Sequence, residues 1–527
     1  MDLPRLSRCW IFLIVILIWA GIYLPSLGGP EFKGEEGRRV LPAVTMLKTG
    51  NWVIPSVGGE DYWSKPPGIN WIVAVSFMLT GQRSEFAARL PSTVFVLAFV
   101  SLLVWMPLPW PSLSGRLISA IIFLTNVSLI EKGRLIEIEA VYISLTGIAI
   151  LWWLSAWSSG RSRWSLWMLP SIVLGFGILV KGPFIIVFFY GTIIAVLIYT
   201  RRLKELFTIQ HILAVTIILA MPLAWLYLAY QQTSGPQMLA RMTSQFLTHT
   251  SSTKSGFVQW VSNALKALRN FLPWILLVPV LWQKRLTSRI DQEHVAFFKG
   301  CRLGLIISFG SIILMPGMLS RYSMPVIPLA SILVGWVLSL HRDFVHLDRT
   351  WRNILLAGFC LSCWTAVAGL VMVTRQPLAL VVSVLAFSSA AIIFLKRTLI
   401  DDVVGLSLTT AMLTVVIMLQ YAVFVVPLMI EHERRRPAAY TVNQIVPTDQ
   451  TVYVFKPGYQ AFLFYVRPPL EYVLSADEID QRVHYLLLEH RYLEDLKMLS
   501  EFNARSPRVL YSLGDKIRGE YRLVQLE

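Results

Sequence analysis

The feature that most constrains this chain is a series of apolar runs, each close to the length of a membrane-crossing helix. Such a helix needs roughly 20 apolar residues, and about 17 to 25 are tolerated. Thirteen runs are candidates: 10–27, 90–108, 117–129, 140–157, 166–180, 183–200, 209–230, 271–282, 303–319, 323–340, 354–373, 378–395 and 403–430. Because a backbone in lipid must satisfy its own hydrogen bonds, the sequence predicts a polytopic α-helical bundle.

The composition agrees with lipid as the main solvent of the chain. Hydrophobic residues make up 55% of the sequence and charged residues 15%, whereas soluble domains carry about 25% charged residues. A net charge of +16 would suit nucleic acid, but the Lys and Arg residues form short clusters between the apolar runs. Clusters of this kind mark cytosolic loops. We therefore expect membrane lipids, and no nucleic acid, among the partners.

The positive charges also orient the predicted spans. With the N-terminus in the cytosol and thirteen spans, basic clusters such as 201–204 and 284–302 fall on the cytosolic side, as the positive-inside rule requires. One further run, 68–80, is too short to cross the bilayer, and counting it as a span would move most of these clusters outside. We predict that it is an interfacial or half-inserted helix. The N-terminal run lacks a signal-peptide cleavage site, so it is interpreted as the first span of a multi-pass bacterial inner-membrane protein.

Composition changes sharply at residue 431, where the chain becomes polar. The sequence therefore predicts two domains, a transmembrane module over 1–430 that includes a first outer loop at 28–89, and a soluble α/β domain over 431–527 on the periplasmic side. Alternation of apolar and polar residues predicts strands, and longer periods predict helices. The predicted strands are 451–455, 461–466, 509–513 and 521–526, and the predicted helices are 477–483 and 492–502.

The loops on the outer face carry the acidic and basic residues that could take part in a reaction. The first outer loop holds acids and cations on both sides of an amphipathic helix that Gly50 ends. The turn 131–139 holds three acids and two cations, and a third cation, Lys181, lies between two apolar runs. A solvated turn and a lysine that reaches the headgroups are the plainer interpretations. Together, however, carboxylates can accept a proton and cations can neutralise a phosphate leaving group, as transfer from an anionic lipid carrier requires.

The order of several short motifs resembles the bacterial aminoarabinose (lipid A) transferases and the protein O-mannosyltransferase-like families. The matching segments are Gly-Glu-Glu-Gly-Arg at 34–38, Gly-Asn-Trp-Val-Ile-Pro at 50–55, Tyr-Trp-Ser-Lys-Pro-Pro at 62–67, Phe-Ala-Ala-Arg-Leu-Pro-Ser at 86–92, 134–139, Lys-Gly-Pro at 181–183, Phe-Leu-Pro-Trp at 271–274 and Arg-Tyr-Ser-Met-Pro at 321–325. These families are GT-C-fold enzymes that move a sugar from a polyprenyl-phosphate carrier. The resemblance therefore implies a GT-C-like bundle of about 13 transmembrane helices with amphipathic outer-face helices.

The resemblance also assigns roles to residues. Glu35 and Glu139 occupy the positions of the families' two catalytic Asp residues, each one methylene longer here. Lys65 matches the lysine that contacts the carrier phosphate in these families, and Arg38 matches the arginine one turn into the first outer helix. Together with Lys181, they are the residues that we expect to hold the donor phosphate. Secondary candidates lie close to these five in the same motifs: Glu36, Glu137, Arg134, Tyr62, Arg321 and Tyr322.

Two departures from the families concern metal and phosphate binding. Ser64 stands where the lipid A enzymes have a metal-binding Glu. The sequence therefore assigns no cofactor, and this departure argues against a divalent metal. The families' His-x2-Arg-Phe pattern is replaced by Met-Thr-Ser-Gln-Phe at 242–246, which removes an expected phosphate-binding arginine. Arg241 and His249 are the nearest replacements.

The sequence thus predicts a membrane glycosyltransferase that moves a hexosyl or pentosyl group from a polyprenyl-phosphate-linked donor to an acceptor on the periplasmic face. The acceptor can be lipid A, another lipid, a glycan or a protein. One alternative is a lipid or sugar transporter or flippase, which would need ionisable groups near the bilayer midplane. Another is a catalytically degenerate scaffold of the same fold, because a shift of reacting groups by about 1 Å can cost ~100-fold in rate.

Overall fold

The chain forms two compact units. The computed structural model describes residues 7–108, 112–233, 235, 236, 238, 240, 257–283, 286, 288–315, 318–340, 345–372, 377–396, 402–513 and 520–527. One unit, called here the helical unit, contains Met1–Leu27, Ser64–Ile69 and Arg89–Pro427. The other, called the sheet unit, contains Gly28–Trp63, Asn70–Ala88 and Leu428–Glu527.

The helical unit consists of long apolar helices and short 3-10 segments. Its α-helices are Arg8–Tyr23, Glu85–Trp105 from Arg89 onward, Leu113–Leu124, Val127–Gly133, Ile138–Ser158, Arg163–Val180, Phe184–Tyr199, Ile209–Gln232, Phe257–Arg269, Gln292–Ile313, Ile327–Leu340, Val345–Met372, Pro377–Leu395 and Val403–Gln420. The 3-10 helices are Leu203–Phe207, Trp274–Trp282 and Ser320–Val326, and a π-helical turn, Tyr421–Val425, leads into the helix Val426–Glu431.

The predicted polytopic helical class is confirmed. Within the described ranges, nine helices are long and apolar enough to cross a membrane, or up to 11 if each of two bent pairs is one span. The bent pairs are Leu113–Leu124 with Val127–Gly133 and Val258–Arg269 with Trp274–Trp282. Each of the thirteen predicted runs overlaps one of these helices or one of the shorter helices Arg8–Tyr23 and Phe184–Tyr199. The run 68–80 is the short helix Gly68–Thr80, and its interfacial placement stays a prediction.

Small residues allow two of these helices to pack closely. The helices Gln292–Ile313 and Phe184–Tyr199 meet where Gly300 and Gly304 face the backbone of the second helix. A Cβ atom added at Gly300 would lie 2.6 Å from the Cα of Val196, and one added at Gly304 would lie 2.6 Å from the Cα of Thr192. This is the small-xxx-small spacing that lets helices approach in lipid, where association depends on van der Waals packing rather than on the hydrophobic effect.

The sheet unit contains a five-stranded mixed sheet and a small hairpin. The hairpin pairs β1 (Ser56–Val57) with β2 (Glu60–Asp61). The sheet consists of β3 (Val452–Phe455), β4 (Leu470–Val473), β5 (Tyr485–Glu489), β6 (Arg508–Ser512) and β7 (Tyr521–Gln525), in the order β4-β3-β5-β7-β6. The β4-β3-β5 pairs are parallel, and the β5-β7 and β7-β6 pairs are antiparallel.

Both faces of this sheet are covered. Val454, Leu487 and Leu523 belong to one apolar cluster, and their neighbours Phe455 and Val524 belong to another, as the two-residue period of a strand dictates. The remaining elements of the unit are the α-helices Gly37–Thr49, Gly68–Thr80 from Asn70 onward, Arg435–Ile445, His490–Lys497 and Ser500–Asn503, and the 3-10 helices Gly34–Glu36, Ala461–Tyr465 and Ala476–Glu478.

Several predicted elements of the C-terminal region are wrong. The run 461–466 is not a strand but the 3-10 helix Ala461–Tyr465, whose Ala461, Phe462 and Leu463 are buried in succession. The predicted helix 477–483 is reduced to the 3-10 turn Ala476–Glu478. Strands β4 and β5 were not predicted. In β5, Leu486, Leu487 and Leu488 form a continuous apolar run without alternation. Such a run is typical of a strand that is buried on both faces.

Most of the predicted first outer loop lies in the sheet unit rather than with the transmembrane module. The buried carboxylate of Glu31 accepts hydrogen bonds from the backbone N–H groups of Arg435 and Arg436, at 2.8 and 3.0 Å. These are the first two residues of the helix Arg435–Ile445, so Glu31 satisfies N–H groups that have no partner within the helix. Residues 28–63 and 70–88 therefore pack with 428–527, and the predicted boundary at 430/431 does not describe the compact units.

The packing at Gly304 leads to a stability prediction. We expect Gly304→Ala to lower the free energy of unfolding by roughly 1 to 3 kcal/mol, because the added methyl group would force the two helices apart. The measurement is the thermal unfolding midpoint of the purified protein in detergent.

Gly310→Ala is the matched control, since it lies in the same helix and an added Cβ there meets nothing within 4 Å. We expect this control to leave the midpoint unchanged or to raise it slightly, because Ala favours a helix over Gly. Equal midpoints for the two variants would contradict the close packing.

Candidate functional site

The helical unit holds a buried carboxylate between two cations at the ends of three helices. Glu139 lies in the first turn of the helix Ile138–Ser158, and its side chain is 7% exposed. Its Oε1 atom lies 3.4 Å from Nζ of Lys181, the residue that follows the helix Arg163–Val180. The same Oε1 lies 3.7 Å from Nε of Arg321, in the 3-10 helix Ser320–Val326. We call these three residues the Glu139 cluster.

Two tyrosines complete the surroundings of Lys181. Its Nζ lies 5.3 Å from the ring centre of Tyr142 and 5.4 Å from that of Tyr322, within the range of cation–π attraction. Tyr142 also donates a hydrogen bond of 3.0 Å to the backbone oxygen of Gly182, which fixes the turn after Lys181. Within the described part of the chain, Nε of Arg321 is buried and makes no hydrogen bond. Two cations thus lie beside one carboxylate, an arrangement that suits an anionic ligand.

A second acid–base group in the helical unit is already paired. Lys132 Nζ lies 2.9 Å from Glu137 and 2.9 Å from Glu131. Glu137 is the residue before the helix Ile138–Ser158, and Glu139 lies in its first turn. The Glu137 side chain contacts Lys132, whereas the Glu139 side chain contacts Lys181. Of the two acids predicted in this turn, Glu139 is therefore the one that lies beside Lys181 and Arg321.

Arg134 serves the fold rather than a ligand. Its guanidinium donates hydrogen bonds to the backbone oxygens of Ile22 and Pro25, at the end of the helix Arg8–Tyr23, where carbonyl groups lack intrahelical partners. The group also lies 5.8 Å above the ring of Tyr421. Burial lowers the pKa of Arg134 to about 10, so the side chain stays charged at neutral pH.

Lys65 is held near Lys181 by a glycine contact. Lys65 is half-buried and lies three residues before Gly68. A Cβ atom added at Gly68 would lie 2.7 Å from the backbone carbon and oxygen of Leu179, two residues before Lys181. Because three residues span at most about 11 Å, the backbone of Lys65 lies within about 11 Å of this contact. Both segments belong to the helical unit.

The sheet unit holds a separate group of predicted residues around Glu35. The Glu35 carboxylate accepts hydrogen bonds of 3.0 and 3.1 Å from Nη1 of Arg38, and Nη2 of Arg39 lies 3.7 Å away. Arg39 also donates a hydrogen bond of 3.4 Å to the hydroxyl of Tyr62. Side-chain exposure is 37% for Glu35 and 38% for Arg38 but 6% for Arg39. We call these residues the Glu35 cluster, whose acid and arginine can both be reached by a ligand.

Glu36 has a structural task instead. It is fully buried, and its Oε2 accepts a hydrogen bond of 2.9 Å from the backbone N–H of Lys33, which closes a capping box around the 3-10 turn Gly34–Glu36. Asn70 supports the following turn, since its Nδ2 donates to the backbone oxygens of Arg38 and Arg39. Of the two adjacent acids, Glu36 therefore holds the backbone while Glu35 points to the arginines.

Tyr459 is a member of the Glu35 cluster that the sequence did not indicate. The guanidinium carbon of Arg38 lies 4.7 Å from the centre of its ring, and its hydroxyl donates a hydrogen bond to the backbone oxygen of Gly34. Burial, and then the nearby Glu35 carboxylate, raise the pKa of Tyr459, so this hydroxyl remains a donor. Gly37 permits the approach, because a Cβ there would lie 2.9 Å from Ala461. No local pattern marks a contact that spans 425 positions of sequence.

Two features considered from the sequence are the replacement phosphate-binding residues and a metal site. Arg241, His249 and the segment 242–246 lie outside the described residues. In the ranges that are described, no group of three His, Cys, Asp or Glu side chains comes together in a way that could hold a metal ion.

Comparison with known protein sequences points to lipid-linked glycosyl transfer. The dolichyl-phosphate-mannose-protein mannosyltransferase family matches residues 64–227. An undecaprenyl phosphate-alpha-4-amino-4-deoxy-L-arabinose arabinosyl transferase from Pectobacterium atrosepticum is 25% identical over 66% of this chain and 63% of the relative. The transferase of the same name from Enterobacter sp. is 24% identical over 88% and 81%. The first of these matches spans less than two thirds of the relative's length.

Solved structures share the fold along nearly the whole chain. The crystal structure of ArnT from Cupriavidus metallidurans bound to undecaprenyl phosphate aligns with a TM-score of 0.72, over 98% of each chain and at 19% identity. The apo structure of the same protein aligns with a TM-score of 0.71. The GT-C-like architecture implied by the resemblance is thereby confirmed. Together with the apolar helices, these relatives make the chain a multi-pass protein of a bacterial inner membrane.

The contacts of Arg134 lead to a prediction about its role. We expect Arg134→Ala to lower the free energy of unfolding by about 2 kcal/mol or more, because charge-assisted hydrogen bonds to two buried carbonyl groups are lost. Arg134→Lys should recover only part of this loss, since an ammonium group cannot reproduce the planar fork. The measurement is thermal unfolding in detergent, with the exposed Arg161→Ala as control. Unfolding midpoints of the Arg134 variants equal to that of the control would contradict the structural role.

Proposed function

We propose that this chain, a GT-C-fold protein similar to the undecaprenyl-phosphate aminoarabinose transferases, transfers a sugar from a polyprenyl-phosphate-linked donor to an acceptor. Three findings support the proposal. Curated relatives carry the name of such a transferase, the fold is that of ArnT, and the motifs that carry the resemblance supply two clusters of acids and cations.

The observation that carries the proposal is the Glu139 cluster. Lys181 and Arg321 lie 3.4 and 3.7 Å from one carboxylate oxygen, and this carboxylate keeps both cations in place when no ligand is bound. A phosphate group would contact the terminal amino groups of Arg321, whose side chain is 43% exposed. As the bond between the sugar and the carrier phosphate breaks, negative charge grows on that phosphate, and cations fixed beforehand stabilise it. We assign Lys65 to the same phosphate, because the Gly68 contact holds its backbone nearby.

Glu35 is proposed as the residue that acts on the acceptor. Its carboxylate is held by Arg38 and remains accessible, so it can accept a proton from an acceptor hydroxyl or orient that hydroxyl. In this proposal the acceptor oxygen attacks the anomeric carbon, the sugar–phosphate bond breaks, and the carrier leaves as polyprenyl phosphate. In this arrangement separate groups act on the donor and on the acceptor, and the transfer is a single direct displacement. Such a displacement inverts the configuration at the anomeric carbon.

We place both clusters and the soluble domain on the periplasmic side, in line with the distribution of positive charge. The Glu139 cluster fits this assignment, because its three ionisable residues lie at helix ends and not in the middle of spans. A transporter or flippase would place such groups near the midplane. The acceptor is a lipid, a glycan or a protein hydroxyl on that side, and lipid A is the acceptor named by the resemblance.

The proposed function is tested by comparing cells with and without the gene. Mass spectrometry of envelope lipids and glycans should show a product that is heavier by one hexose or pentose residue only when the gene is present. Complementation with Glu35→Gln or Lys65→Ala should abolish this product while the protein stays in the membrane. Full product with both variants would refute the assignment of these residues.

The length of the Glu139 side chain gives a sharper prediction. We expect Glu139→Gln to lower product formation by at least ~100-fold, and Glu139→Asp to lower it by a comparable factor, because a shift of reacting groups by about 1 Å can have this cost. The exposed Glu494→Gln, whose partner is Lys497 on the same helix, is the control. Wild-type activity of Glu139→Asp would show that the position of the carboxylate does not matter.

Binding of the carrier separates a transferase from a degenerate scaffold. Purified protein should bind undecaprenyl phosphate, and Arg321→Gln should weaken this binding about tenfold, since one charge-assisted hydrogen bond contributes about 1.5 kcal/mol or more. Native mass spectrometry of the lipid-bound protein measures the change. A protein that binds the carrier but forms no product in the cellular test is a scaffold and not an enzyme.

A further inference from the structure

The sheet unit contains a cavity with a basic rim. None of the proposed catalytic residues lines it. Its volume is about 510 Å³, in the range of small-molecule sites, which run from about 300 to 1,000 Å³. All of its lining residues belong to the sheet unit. The walls come from the C-terminal half of the helix Gly37–Thr49, from the turn at Arg83 and from residues 463–472.

The charged residues of this cavity favour an anion. Three cations line it, Lys48, Arg83 and Arg467, against the single carboxylate of Glu471. Lys48 donates a hydrogen bond of 2.9 Å to the backbone oxygen of Leu470, which fixes one side of the rim. Both arginines are exposed, and among the residues that the structure describes neither guanidinium group makes a hydrogen bond or an ion pair. Two forks of N–H donors therefore remain available, and such forks match the oxygen atoms of a phosphate or a carboxylate.

The floor of the cavity is apolar. Side chains of Leu41, Val44, Leu463, Phe464 and Val466 form part of its lining, and several of them belong to the buried core beneath the sheet. A free inorganic anion would leave this floor exposed to water. A ligand with a phosphate group and adjoining methylene groups would cover both parts, and burial of the methylene groups favours such binding.

The position of Arg83 in the sequence favours a rim near the membrane surface. Arg83 lies two residues before Glu85–Trp105, a helix long and apolar enough to cross the membrane. The preceding helix Gly68–Thr80 exposes Met78 and Leu79 by 63% and 83%, and Phe86 is 42% exposed on the other side. Exposed apolar side chains on both sides of one arginine are typical of a segment at the interface, where the charge reaches the headgroups.

We propose that this cavity, the Lys48–Arg83–Arg467 pocket, binds the phosphate-bearing headgroup of a membrane lipid. The phosphate contacts the two free guanidinium groups, and the first methylenes of the lipid cover the apolar floor. Lys48 and Arg38 lie at opposite ends of one helix, ten residues apart, which corresponds to about 15 Å at 1.5 Å per residue. The pocket is therefore a site distinct from the Glu35 cluster, and a lipid bound there is fixed relative to that cluster through one rigid helix.

Lipid binding by the full-length protein tests the proposal without any sugar donor. Purified protein in detergent is titrated with dioleoyl phosphatidic acid or with dioleoyl phosphatidylcholine, and bound lipid is counted by native mass spectrometry. We expect phosphatidic acid to bind more tightly than the zwitterionic lipid, whose choline group meets the cationic rim. Arg83→Gln and Arg467→Gln should each weaken phosphatidic acid binding about tenfold, the loss expected for one charge-assisted contact.

The double variant Arg491→Gln/Arg508→Gln is the matched control, because both arginines are exposed in the same unit and outside the pocket. It removes the same charge as Arg83→Gln/Arg467→Gln, and it should leave lipid binding within twofold of the wild-type value. Equal weakening by the two double variants would show a general charge effect and would overturn the proposal. Equal affinity for the two lipids would overturn it as well.

A competition experiment distinguishes a lipid headgroup from a free anion. Inorganic phosphate added during the titration should displace phosphatidic acid poorly, because it cannot cover the apolar floor. Displacement by inorganic phosphate at concentrations equal to those of the lipid would assign the pocket to a soluble anion and would refute the lipid assignment. Because no sugar transfer is measured, failure here leaves the proposed transferase activity untouched.

Discussion

The structure of the helical unit depends on the cost of placing a carboxylate in an apolar bundle. In the helix Ile138–Ser158, 94% of the apolar stretch that could cross the membrane is buried. An unpaired Glu139 carboxylate there would lower the stability of the fold by several kcal/mol. The chain meets this cost with cations from two other helices, Lys181 and Arg321. The ends of three helices are thereby held together by one oxygen atom. The same arrangement fixes two cations at one point of the bundle, which is the property that a phosphate site needs.

Charged residues with similar sequence context have been put to different uses. Arg134, Glu36 and Glu31 form hydrogen bonds with backbone groups at helix and turn ends. Their charged groups therefore stabilise the fold. Arg38, Arg321 and Glu35 retain exposure or unsatisfied donors. Lys132 and Glu137 neutralise each other. The distinction lies in the partners that each side chain meets, which are distant in sequence for Arg134 and Glu31 but only three residues away for Glu36 and Glu35.

Prediction from sequence succeeded where a local pattern carries the information. The thirteen apolar runs overlap the helices, because length and hydropathy alone decide whether a segment can cross a bilayer. Strands β3, β6 and β7 were predicted from alternation. Strand β5 and the 3-10 helix Ala461–Tyr465 were missed because burial on two faces or in succession removes the alternation. Strand β4 is an edge strand of only four residues. Tyr459 was missed because its partners Gly34 and Arg38 lie more than 400 residues away.

By itself, the sequence determined that the chain spans a membrane many times and that acids and cations concentrate in the loops between spans, since both follow from which residues lipid and water accept. It also supplied the motifs that named the candidate residues. Only the tertiary structure decided the partners of each pair of acids. Glu139 rather than Glu137 lies beside Lys181, and Glu35 rather than Glu36 binds Arg38. It likewise grouped residues 28–63 with the C-terminal sheet. The reason is that ion pairs and close packing depend on distances of a few ångströms between segments that sequence order leaves far apart.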